Sequence, residues 1–115
     1  MIINKTTGKI ISPRERVCQN FFSQARGLMF RKKQNLVMVF PNERKISLHM
    51  FFVFYPIDVL IVDDQMRIVE IKRYFQPFTT WKSAKKGKCV VELGDRRTPA
   101  GEVLAALGDQ IDQFQ

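Results

Sequence analysis

The chain holds a single imidazole. Among its 115 residues only His49 is a histidine, so any chemistry that needs imidazole as base, acid or ligand contact must run through it. It stands in Ser47-Leu48-His49-Met50-Phe51-Phe52-Val53-Phe54-Tyr55-Pro56-Ile57-Asp58. On a strand it shares a face with Phe51, Val53 and Tyr55. Asp58 is out of place by composition, because a carboxylate inside an apolar strand must be paired or hydrogen-bonded. Pro56 has no N–H and restricts Tyr55, so the chain is expected to bend between His49 and Asp58. The bend predicts one polar spot on an apolar wall, a candidate pocket of His49, Asp58, Phe51 and Tyr55. An imidazole facing a carboxylate there would hold its proton to higher pH. The competing reading gives each residue a structural job, with His49 satisfied by a carbonyl and Asp58 accepting loop N–H groups.

Other chemistries lack their parts. The sequence has no glycine-rich dinucleotide turn and no phosphate-binding P-loop. One His and two distant cysteines, Cys18 and Cys89, give no metal spacing, so neither metal nor cofactor is expected. With no signal-peptide pattern, the two cysteines are expected to stay reduced in a cytoplasmic setting. The greasiest run, Leu48 to Val62, contains His49, Pro56 and Asp58 and is too short for a membrane helix.

Charge is the other conspicuous feature. The net charge is +8, and residues 1–35 alone hold eight Lys/Arg against one Glu. Arg26, Arg31, Lys32 and Lys33 form a candidate basic patch. Such a patch suits an acidic partner or a small anionic ligand, and it also simply keeps a small protein soluble. Nucleic acid is the less favoured partner, because the aromatics near these cations follow core periodicity instead of standing between them. Trp81, beside the lysines of residues 82–88, is the one aromatic placed to stack on a base or sugar ring.

Short elements must position these groups. Ile2-Ile3 and Ile10-Ile11 flank a turn at Lys5-Thr6-Thr7-Gly8, which predicts a hairpin. Glu15 to Cys18 can resume extended structure after Pro13. Asn20 is a candidate cap for a short helix carrying Phe21, Phe22, Ala25, Leu28 and Met29 on one face. Leu36 to Phe40, Ile46 to Tyr55, Ile57 to Val62, Arg67 to Tyr74 and Cys89 to Leu93 read as strands. Pro41-Asn42 and Asp63-Asp64-Gln65 read as turns, and Gln76 to Lys88 as a loop. Thr98-Pro99 opens a second helix that buries Ala100, Val103, Leu104 and Leu107, with Gly108 at its C-cap. Asp109 to Phe114 is a last strand or tail. The expected class is α+β, a predominantly antiparallel curled sheet or small barrel of about seven short strands with two short helices. At 13.5 kDa and 45% hydrophobic residues, the chain is expected to be a single domain, residues 1–115.

The order of motifs resembles the domain of unknown function 192 family. The blocks are Phe22 to Arg31, Ser47 to Phe52 and Phe54 to Asp63, followed by Val90-Val91-Glu92-Leu93 and Gly108-Asp109. The resemblance implies a compact, mostly β domain with no established activity. Relatives of the larger branch carry tryptophan–methionine–lysine–asparagine–threonine where this chain has His49 to Val53. A glycine usual in the turn after Asp63 is replaced near Gln65-Met66, so that turn should be of another type. The leading reading is a small intracellular binding module with a pocket near His49 and Asp58. A hydrolase using those two residues is the alternative, and a low-specificity nucleic-acid binder using the basic N-terminal third comes after it.

Overall fold

A computed structural model of the chain describes residues 1–18, 34–50, 53–94 and 106–113. Among them every regular element is a strand: β1 (Ile2–Asn4), β2 (Ile10–Ser12), β3 (Glu15–Cys18), β4 (Asn35–His49), β5 (Ile57–Val62), β6 (Ile68–Phe75), β7 (Thr80–Leu93) and β8 (Ile111–Gln113). The expected α+β class with two short helices is therefore corrected to an all-β arrangement of two sheets. Both helix assignments fall almost wholly outside the described residues. Where the second can be checked it fails, since Leu107, expected in its buried stripe, is 65% exposed in a turn.

Those strands, β4 and β7, pair antiparallel and form the spine of the larger sheet, whose order is β3-β4-β7-β5-β6. Both run through residues that read as loop. Pro41 lies between the Val39–Cys89 and Arg44–Gly87 pairings, where the register shifts, so its missing N–H costs no ladder bond. The first half of β7 is lysine-rich because only Ser83 is buried between Thr80 and Lys86. A strand with so little buried surface shows no apolar alternation in sequence. Glu70 of β6 completes this half: one of its carboxylate oxygens accepts the Ala84 and Lys85 N–H groups, each at 2.9 Å. The pair β3–β4 is parallel, from Glu15–Asn35 to Cys18–Met38, an exception to the antiparallel expectation.

The larger sheet curls on itself. Its inner face is one apolar cluster drawn from both halves of β4 and β7, among them Leu36, Met38, Ile46, Val59, Ile61, Phe75 and Val90, with Met50, Val53 and Tyr55 from the β4–β5 connection. The outer face, with Val37, Leu60, Val62, Val91 and Leu93, is covered by Ile2 and Ile111 of the smaller sheet β2-β1-β8. Alternate residues of β5 therefore bury on opposite sides, which explains a strand with no exposed position.

Side-chain amides tie the layers together. Asn35 of β4 donates to the Ser12 hydroxyl of β2 at 2.8 Å inside the core. Asn4, fully buried, accepts the Thr6 and Thr7 N–H groups and donates to Asp109 at 2.7 Å. The expected N-terminal hairpin is thus closed by an asparagine turn. After β5, the Asp63 carboxylate accepts the Gln65 and Arg67 N–H groups, and Met66 takes φ 63°. That left-handed position coincides with the place where the family's glycine is replaced.

Candidate functional site

Of the sequence-derived candidates, only the side chains of Tyr55 and Asp58 lie among the described residues. In the ladder, His49 lies opposite Thr80 and Asp58 opposite Leu93, the first and last residues of β7. The His49 side chain, Phe51 and all four residues of the basic patch (Arg26, Arg31, Lys32 and Lys33) lie outside the described residues. Tyr55 is 7% exposed within the inner cluster. Asp58, 1% exposed, alternates with Ile57 and Val59 and so belongs to the opposite face of β5.

Asp58 meets the β6 backbone. The β5–β6 pairing shifts between Ile57–Phe75 and Val59–Lys72, leaving Arg73 and Tyr74 bulged opposite Asp58. One Asp58 carboxylate oxygen accepts the Tyr74 N–H at 2.9 Å. Tyr74 has φ 52°, a left-handed conformation that is unusual for an aromatic residue. Its ring is 56% exposed, while the next residue, Phe75, is buried against Trp81 at 6.3 Å between ring centroids. The bulge thus sends one aromatic inward and its neighbour out.

The connection from β6 to β7 repeats the device. Phe78 has φ 60° and is 50% exposed. Its N–H donates to the Met50 carbonyl at 2.8 Å, and the Met50 N–H donates to the Thr79 carbonyl at 2.8 Å. The Thr79 hydroxyl closes the loop on the Gln76 carbonyl at 2.6 Å. Phe54, 66% exposed, meets Phe78 edge to face with centroids 5.6 Å apart. Among the described residues, Phe54, Tyr74 and Phe78 are the exposed aromatics of this end, and sequence reading missed them because each sat in a segment assigned to a strand or a plain loop.

A second overlooked residue sits on the inner wall. Glu92 pairs with Leu36 on one side and Val59 on the other, both members of the inner cluster. It is 5% exposed, and its Oε2 atom has no hydrogen-bond partner. Burial in this apolar setting pushes its carboxyl up to about 7. The signal that singled out Asp58, a charge inside an apolar run, was equally present in Cys89-Val90-Val91-Glu92-Leu93. Beside it Gly94 lets the Tyr55 ring approach, because an added Cβ would lie 2.8 Å from Tyr55 Cε2. Among the described residues no three His, Cys, Asp or Glu side chains gather as metal ligands, and no helix is long and apolar enough to cross a membrane.

Known proteins share this architecture and sequence. A UPF0127 protein of Thermococcus sibiricus is 35% identical, over 97% of this chain and 73% of its own length. One of Pyrococcus horikoshii is 30% identical over 99% of both chains. A crystal structure of a protein of unknown function from Novosphingobium aromaticivorans superposes with a TM-score of 0.82 at 19% identity, over 97% of this chain and 82% of that one. Residues 2–112 match the family DUF192, Uncharacterized ACR, and the chain belongs to that family of uncharacterised function.

Proposed function

We propose that the chain is a small binding module and that it recognises its partner at the aromatic end, where Phe54, Tyr74 and Phe78 stand exposed. One observation carries the reading: the buried Asp58 carboxylate holds the Tyr74 N–H while the Tyr74 ring faces water from a left-handed backbone. Left-handed aromatic residues cost free energy and persist only where the surroundings over-determine them, which is characteristic of functional surfaces. A purely structural bulge would take glycine at that position at no steric cost. Asp58 is then a positioning group for the surface. The proposed setting is the cytoplasm, motivated by the free-thiol reading of Cys18 and Cys89. The test is NMR shift mapping on the intact chain with heparin, oligo-dT and anionic vesicles in turn. Perturbations centred on Phe54, Tyr74 and Phe78 for at least one probe are expected; perturbations elsewhere, or none, would overturn the reading.

A further inference from the structure

We infer that the end of the larger sheet around Glu92 binds a primary ammonium group carried on a short apolar chain, with the Glu92 carboxylate as its acceptor and Leu36, Val59 and Tyr55 against the chain. Phe54, Tyr74 and Phe78 take no part, so this site stands apart from the aromatic end.

Glu92 lies one rung from the edge of the sheet, where three strands begin or stop. β7 ends at Leu93, β4 starts at Asn35 and β5 starts at Ile57. In the ladder Glu92 sits between Leu36 and Val59, the second residue of β4 and the third of β5. Val90, two residues back on the same face of β7, is buried in the inner cluster. Two residues onward Gly94 has no side chain, and the Tyr55 ring closes over it. The carboxylate therefore enters an apolar wall at the mouth of a curled sheet, a place where small-ligand sites form.

Two other carboxylates enclosed by the fold have partners. Asp58 accepts the Tyr74 N–H at 2.9 Å, and Glu15, whose side chain is 2% exposed, meets the Met1 ammonium at 2.6 Å. Glu92 is 5% exposed, and among the described residues nothing donates to its Oε2 atom. An apolar side chain of similar size would fill this position without the cost of a buried, unpaired acceptor. An ionised carboxylate only accepts, so the complementary group is a donor. A charged donor makes the stronger bond. One orphaned oxygen suits the point charge of an ammonium better than the two-pronged guanidinium. The apolar wall calls for an apolar body behind that charge, and an anion would be repelled.

The residues facing Glu92 from β4 and β5, Leu36 and Val59, carry no charge. Among the described members of the inner cluster the other titratable side chain is the Tyr55 phenol. Burial holds the Glu92 carboxyl protonated up to about 7. Below that pH an arriving ammonium must send the carboxyl proton to water before it can bind.

The experiment is an NMR titration of the full chain with n-butylammonium chloride, with n-butanol as the neutral counterpart. At pH 8 butylammonium is expected to shift the amide signals of Leu36, Val59 and Glu92. It should bind about tenfold more tightly than butanol, the margin that a hydrogen bond to a charged group supplies. At pH 5 its affinity should fall by about tenfold or more, because the carboxyl keeps its proton while the alkylammonium stays charged. Glu92→Gln and Glu92→Leu should each reduce the affinity to that of butanol and remove the pH dependence. Equal binding of butylammonium and butanol by the parent chain overturns the inference, and so does binding that ignores both variants. Absence of butylammonium binding overturns it as well. The aromatic end is read with other probes and other residues, so each reading can fail without the other.

Discussion

The Asp58 carboxylate and the Tyr74 amide, 2.9 Å apart across the β5–β6 bulge, join a buried charge to a strained, exposed aromatic residue. Deleting the acceptor tests how much of the bulge depends on it. Asp58→Ala should lower stability by about 1–3 kcal/mol, the cost of leaving a part-buried donor unpaired. Asp58→Asn keeps a carbonyl oxygen and should cost less. Urea denaturation measures both, and an Asp58→Ala chain as stable as the parent would show that Tyr74 is held by something else.

Glu92 should make stability fall as pH rises. Its carboxyl is pushed from an ordinary 4.5 up to about 7 by burial. Below the ordinary value it is protonated in both folded and unfolded chains, and nothing is lost. Between the two values only the unfolded chain ionises, so the folded state loses ground. Above about 7 the loss is complete, at about 3 kcal/mol. Glu92→Gln should therefore stabilise the protein at pH 8 and make little difference at pH 4. Thermal melts across that range check it, and a gain of equal size at both ends would contradict the assignment.

Gly94 is required by close approach and not by conformation. A Cβ there would lie 2.6 Å from the Gln34 carbonyl oxygen and 2.8 Å from Tyr55 Cε2. Gly94→Ala should cost about 1–3 kcal/mol, the usual range for overpacking. Its urea denaturation midpoint, measured against that of the parent chain, checks this, and an unchanged midpoint would show that the Gln34 carbonyl and the Tyr55 ring can give way.

Cys89 should be chemically silent in the folded protein. It is a free thiol, 8% exposed on the outer face of the sheet, and burial pushes its pKa up while the neighbouring Lys88 charge only partly opposes this. Since the thiolate is the reactive form, a thiol reagent should label Cys89 only after unfolding. Rapid labelling of Cys89 under native conditions would mean that the smaller sheet opens readily.

Much of this chain was legible before folding, and the boundary has a physical cause. Apolar alternation and turn chemistry announced the N-terminal hairpin, the β5 strand with its Asp63 turn, and the return strand β6, because those signals are local. The motif order was enough to indicate the family. The same local signals misassigned the lysine-rich half of β7 and the passage through Pro41. Both segments are strands only because a partner strand lies beside them, and pairing between distant residues leaves no periodic mark where neither face is buried. The site divided in the same way. Asp58 stood out as a charge among apolar residues, and Glu92 could have been found by that rule. That Asp58 should meet the Tyr74 amide was decided by tertiary structure alone. So was the exposure of Tyr74, since the register shift between β5 and β6 turns Phe75 inward and leaves Tyr74 in water.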